Sequence, residues 1–470
     1  MFGNSFSLVL VALWTLLPQI AFGQTAELPS TIVTTSHDVV DAYDGVISLR
    51  EAIAYAKDGD TVTFASHLQD ARIVLKGTEL AINKNVSIVA TGQNVIVDGN
   101  LQSLVFHIGS DRTVILAGLT VTGSNGRSSN VWGGGISNNG NLTVNHCTIT
   151  GNSSESCSGI SNTGVLSIMN STITGNTTLD KLTGAIHHSG SSLTITNSSI
   201  SENSGIGIFS YGSWTIADST VSKNSDWGIQ HIADTSSCTI TNCTFDSDSI
   251  YCSAGINSVT NELLVISSTI SGGSIMSAGR ATLINSAIFG SQGTGVRFNR
   301  ALTAINCTIA QNGDGGISNW SDDSSTATLY NTIVANNKFL GTPLDISTSG
   351  GNFAGSNNFI GAQMGSVFIN NQNGNIVGTW ESPIDPKFVN TQGDDWRNWD
   401  LRLVEGSNSL AFNRGNNDYV PAWLTLDLAG NFRIRQGTVD IGAYESNSEL
   451  YTPPTPKDPL TKDPNFLTEY

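Results

Sequence analysis

The chain has 470 residues, of which 39% are hydrophobic and 13% charged, and it carries a formal net charge of -17 at pH 7. That length and apolar content support an extensive core, and a mean hydropathy of -0.03 excludes a multispanning membrane protein and wholesale disorder. The acidity repels phosphate backbones and anionic lipid, which excludes nucleic acid and membrane surfaces as principal partners.

Residues 1–23 read as a signal peptide. Leu8 to Ile20 is apolar but too short to span a bilayer, and Ala21-Phe22-Gly23 sets small residues at the cleavage subsites before Gln24. No later stretch reaches transmembrane length, so the mature chain is expected to be exported, secreted or held at a cell surface, and monomeric. Residues 24–60 are expected to form an N-terminal cap. Ser48-Leu49-Arg50-Glu51 has the spacing of a capping box, and Leu49, Ala52, Ile53 and Ala56 give the ensuing short helix one apolar face.

From Gly134 a phrase recurs, first as GGISNNGNLTVNHCTITGN and then as SGISNTGVLSIMNSTITGN. Its leading apolar position is read as Ile136, Ile160, Ile186, Ile208, Ile229, Ile256, Ile275, Val296 and Ile317, at steps of 19 to 27 residues. Within each phrase, runs of two-residue alternation are broken by Gly and Asn, so each phrase is several short strands and turns. One such unit cannot bury its apolar face alone. Stacking equivalent strands about 4.8 Å apart fills a continuous core, which predicts an all-β, right-handed parallel β-helix over residues 61–337. Asn170, Asn197, Asp218, Asn242, Asn285, Asn306 and Asn331 form one repeated column, and Asn152, Asn176, Asn203, Asn224 and Asn312 another. Both are expected to be turn ladders, because Asn tolerates left-handed backbone and hydrogen-bonds to its stacked copy.

The six cysteines are Cys147, Cys157, Cys238, Cys243, Cys252 and Cys307. Cys147, Cys243 and Cys307 occupy one repeat position several coils apart, beyond disulfide reach, and are expected to pack as small residues. The pairs Cys147 with Cys157 and Cys243 with Cys252 have the spacing for local bridges. Residues 338–446 lose the repeat and become irregular and more aromatic, and the Pro-rich residues 447–470 read as a disordered tail.

The segment DVVDAYDGVISLREAIAYAKDGDTVTF resembles the CSLREA domain of exported bacterial β-helix proteins, some related to polymorphic outer membrane proteins, with Ile47 where that family has Cys. The segments DLRLVEGSNSLAFNRGNNDYV, TLDLAGNFR and GTVDIGAYES resemble the choice-of-anchor Q domain. Together these resemblances imply a bacterial cell-surface or extracellular protein of the pectate-lyase-like β-helix type. They imply no catalytic residues.

The sequence lacks the Asn-Thr-Asp, Gly-His-Gly and Arg-Ile-Lys set of polygalacturonases, of which Arg433-Ile434-Arg435 is a partial echo, and also the Trp-Ile-Asp-His phrase of pectate lyases. One cluster stands out. With Ile186, Ile208 and Ile229 inward, His187, Phe209 and Gln230 point outward, and His188, Tyr211, Asp226, Trp227 and His231 lie near them in register. Aromatic faces and hydrogen-bonding groups in such a row suit a polysaccharide, so His187, His188, Tyr211, Asp226, Trp227 and His231 form the expected glycan-binding set. Trp214 replaces a repeated Leu and is expected in the core. His188 and His231, two coils or about 10 Å apart, cannot share a metal ion, and no cofactor is expected, calcium having no signature. Asp322-Asp323 beside Trp320 is a weaker acidic candidate, since adjacent strand residues face opposite ways.

The sequence is compatible with three functions: noncatalytic adhesion or contact with an extracellular polysaccharide or cell-surface glycan; a polysaccharide lyase or glycoside hydrolase; and a structural spacer. The missing acid pair favours the first.

Overall fold

Each repeat closes into one coil of three short strands. In the coil that begins the clear repeats these are Ile136–Asn138, Asn141–Asn145 and Thr148–Thr150. Each pairs in parallel with its counterpart one coil on, Ile160–Asn162, Val165–Met169 and Thr172–Thr174. The solenoid wall thus has a first, second and third face in chain order. The second is a 14-stranded sheet, and the other two together hold 26 strands. This computed structural model describes residues 26–446 except 127–132, 180–182, 234–235, 254–260, 320–323, 349, 405–407 and 436. The expected signal peptide and tail, with Ile256, Trp320, Asp322 and Asp323, lie outside the described residues, as does the side chain of Cys252.

Alternation along each strand sends every second side chain inward, and stacking turns these into columns. The leading column is Ile136, Ile160, Ile186, Ile208, Ile229, Ile250, Ile275, Val296 and Ile317. Ile250 therefore takes the place expected for Ile256: the long step falls after that strand, not before it. Trp214 belongs to the second-face column and is buried, with small Cys238 stacked on it where neighbouring coils have Leu193 and Leu263. Volume is conserved by setting a small residue against a large one.

The turn between second and third faces requires left-handed backbone. Asn170, Asn197, Asp218, Asn242, Asn285, Asn306 and Asn331 all take positive φ there, between 47° and 52°. Their side chains connect successive coils, as from Asn197 Nδ2 to Asn170 Oδ1 at 2.6 Å. The other ladder is buried: Asn152 donates to Asn176, Asn176 to Asn203, Asn203 to Asn224 and Asn224 to Asp248. A second run passes from Asn312 to Asn337 and ends on Asp345.

Cys147, Cys157, Cys238, Cys243 and Cys307 are buried and outside any disulfide, so neither local bridge forms. Cys147, Cys243 and Cys307 sit in an inward column shared with Ser and Thr, and their backbone N–H groups bond to Ser171 Oγ, Ser268 Oγ and Thr332 Oγ1 on the next coil. Burial pushes the Cys147 thiol up to about 11 and the Cys243 thiol up to about 12, far from the reactive thiolate.

The expected cap is present. Helix Leu49–Tyr55 begins at Ser48, whose Oγ accepts from Glu51 N, while Glu51 Oε2 accepts from Ser48 N at 2.9 Å. Leu49, Ala52, Ile53 and Ala56 are buried, as is Ile47. The strand Ile32–Val33, ahead of the helix, pairs with Asp60–Phe64 and begins the second face.

Parallel pairing continues past residue 337, through Asn352–Ser356 on the second face and Ile376–Thr379 on the third. The chain then runs back as a strap against the third face. Trp396 Nε1 bonds Asp246, Asn416 N bonds Asn331 Oδ1, and Ala443 N bonds Thr308 Oγ1. Arg433, the partial echo of a catalytic motif, is 1% exposed and paired with Glu445 at 3.0 Å, so it is a structural ion pair.

Candidate functional site

The six expected glycan-binding residues do not share a surface. His187, Tyr211, Asp226 and Trp227 reach the outside, whereas His188 and His231 are fully buried. The alternation that turns His187 outward turns its neighbour inward, in the same column as Asn138, Asn162 and Ser210. His188 Nδ1 accepts from Asn162 Nδ2 at 2.8 Å, which leaves the Nε2 proton facing Ser213 O at 3.3 Å. Burial pushes this imidazole down to about 4, so it is neutral. His231, two coils on in that column, bonds Ser236 Oγ and meets the Trp214 ring edge-to-face at 6.2 Å. Both are structural groups of the interior.

The outward column of the first face reads His187, Phe209, Gln230, Tyr251, Met276 and Arg297 on consecutive coils. His187 and Phe209 stack at 5.5 Å with 10° between planes. Tyr211 stands at 81° to Phe209 and 73° to His187. Trp227, flanked by exposed Asp226, leans on Tyr251 with centroids 5.1 Å apart. Burial holds His187 below its ordinary value, which disfavours the imidazolium at this surface. Placing the leading column at Ile256, as the spacing of isoleucines suggests, misses Tyr251. With Ile250 in that column, period-two alternation puts Tyr251 outward beside Gln230.

A concavity of about 710 Å³ lies between the third face and the strap, lined among others by Asn336, Lys338, Asp345, Asp385, Lys387 and Phe388. Its two carboxyls differ. Burial pushes Asp345 up to about 7 despite bonds from Asn337 and Ala362. At Asp385 burial opposes the charge, but donors from Lys387 and Asn336 outweigh it and hold the carboxyl below the usual range. Asp345 is 1% exposed and ends an Asn ladder, which accounts for its place. Among the described residues no group of three or more His, Cys, Asp or Glu could hold a metal ion. No helix of the described residues is long and apolar enough to cross a membrane.

A family model described as a right handed beta helix region matches residues 67–245 and, overlapping, 135–279. The chain folds as a right-handed parallel β-helix. A search of curated proteins gives no match. Among solved structures it is similar to the pectate lyase Pel9A, at 15% identity and a TM-score of 0.42, covering 90% of this chain and 98% of that one. It is also similar to the A-module of the mannuronan C-5 epimerase AlgE6 of Azotobacter vinelandii, at 14% identity and a TM-score of 0.39, covering 73% of this chain and 96% of that one.

Proposed function

We propose that this is an exported cell-surface protein whose first face binds glycan without catalysis. The observation that carries this reading is the cluster of His187 and Tyr211 around the buried Phe209 ring, beside Trp227 and Tyr251, on one outer face of the wall. Sugar rings pack their C–H groups on aromatic faces, and Gln230 and Asp226 supply hydrogen bonds at the same surface. The test is a glycan-array screen of residues 24–470, combined with reducing-end and unsaturated-product assays. Binding is expected without product, and Tyr211→Ala with Trp227→Ala is expected to abolish it while the unfolding midpoint holds. Unfolding of that variant would mean the rings are core residues, and binding that survives it would place the ligand elsewhere.

The second reading, a polysaccharide lyase or glycoside hydrolase, would use the concavity beside the strap, where Asp385 lines a space of the size a ligand fills. It requires product formation that Asp385→Asn removes. Absence of product with every arrayed polysaccharide that binds would end it.

A further inference from the structure

We propose that the ligand of the first face is a neutral, extended polysaccharide running along the solenoid axis, with alternate residues seated on Tyr211 and on Tyr251 with Trp227. This rests on the glycan-binding reading and names the ligand class. The first step concerns which ring faces are open. His187 and Phe209 come from consecutive coils and stack 5.5 Å apart, so their planes lie across the axis and their facing surfaces are covered. Tyr211 lies 5.1 Å from Phe209 and 5.9 Å from His187, nearly perpendicular to both. A ring cannot push its edge into two faces already turned on each other. Tyr211 therefore lies beside the pair with its plane turned along the axis, and it is 47% exposed. It is a plate parallel to the axis.

The second step is spacing. Tyr251 stands two coils beyond Phe209 in the same column, with Gln230 between, so the two aromatic seats are about 10 Å apart along the axis. An extended chain that advances about one coil per sugar and turns over at each linkage, as β-1,4-linked chains do, brings every second sugar to an aromatic seat in the same orientation. The intervening sugar meets the Gln230 amide.

The third step is charge. From Phe209 to Met276 the column contains no cation, burial disfavours the charged form of His187, Asp226 is exposed at the flank, and the whole chain carries -17. A polyanion is repelled at such a surface, whereas neutral hydroxyls are not.

The test is calorimetric titration of the mature chain with neutral β-1,4-linked gluco-, manno- and N-acetylglucosamine oligosaccharides of one to six residues, and with acidic oligosaccharides of equal length. Affinity for at least one neutral series is expected to rise about tenfold between one and three residues, when both seats are first spanned. Tyr211→Ala or Tyr251→Ala should return the trimer to the affinity of the single sugar. Should Tyr251→Ala fail to fold, Gln230→Ala addresses the same register and should weaken the trimer but not the monomer. Tighter binding of the acidic series, or affinity independent of length, would overturn the ligand assignment and leave glycan binding standing. Silence across the whole array would end the glycan reading itself.

Discussion

His187 and His188 are neighbours in the chain and lie on opposite sides of the solenoid wall, so the same substitution should act on them differently. His188→Ala leaves the Asn162 amide without its acceptor inside the wall, and the expected loss is about 1 to 3 kcal/mol in denaturant unfolding. His187→Ala removes an outward ring and should cost at most about 1 kcal/mol. Equal losses would contradict the register. Period two was available from Ile186 onward, and applying it to position 188 as well as 187 assigns both histidines. Two buried acids carry a pH dependence. Asp248 stands where its ladder otherwise holds Asn, Asp345 closes the other ladder from the residue ahead of Ile346, and burial pushes each up to about 7, against about 3.9 for an unfolded Asp. Between those values the folded chain keeps protons that the unfolded chain releases. Stability therefore falls as pH rises from about 4 through about 7 and is level above. Urea unfolding should give lower stability at pH 8 than at pH 5, on the order of 1 to 3 kcal/mol per group. Asp248→Asn combined with Asp345→Asn removes both titrating carboxyls and should flatten the slope. A double variant that keeps the original slope would assign it to other groups.

At the scale of elements, what could be read in the sequence depends on how local the determining physics is. The cap helix needs only Ser48, Glu51 and one apolar face, all within nine residues, and its hydrogen bonds are those the spacing predicts. Ser48 also donates from Oγ to Val39 O at 2.6 Å, so Ser48→Ala removes two bonds in a fully buried setting. The expected cost is about 1 to 2 kcal/mol, and an unchanged thermal midpoint would mean the cap does not limit stability. The column from Asn170 to Asn331 was equally legible, since its repeated positive φ favours Asn, whereas the buried ladder from Asn152 to Asn312 does not take left-handed backbone and owes its Asn to the bonds between coils. The coil containing Ile250 was not. Its turns differ in length from its neighbours, and a regular spacing of isoleucines cannot tell a long turn before a strand from one after it. That one shift hid Tyr251, half of the second aromatic seat.

Over the whole molecule, the third face changes character where the strap covers it. Its outward positions are Thr148, Thr172, Ser199, Thr220, Thr244 and Thr269 on the earlier coils and then become Ala287, Thr308, Ile333 and Phe359. The companion positions likewise pass from Ser271 to Phe289, Ala310 and Ala335. Ile333, Ala335 and Phe359 pack against Leu403, Ala411 and Ile441 of the strap, and Ala287, Phe289 and Ala310 against Leu401. The switch from Thr to Ala, Ile and Phe on a wall already filled from within was the sequence signal that something lies over it. A chain ending at Thr379 keeps every paired third-face strand but uncovers Phe289, Ile333 and Phe359, each about 1.5 to 3 kcal/mol of burial, on contiguous coils. That chain should aggregate and bind an apolar dye. Adding Phe289→Thr, Ile333→Thr and Phe359→Thr restores the pattern of the bare coils and should return a soluble monomer with its parallel strands intact. The inward column Ile288, Ile309, Val334 and Ile360 belongs to the solenoid core and does not depend on the strap. If the truncated chain without these substitutions is already soluble and dye-negative, the strap is an appendage and not a cover. If the substituted chain still aggregates, the last coils need the ion pair of Arg433 with Glu445 and the bonds at Asn331 and Thr308 as much as they need their apolar faces hidden.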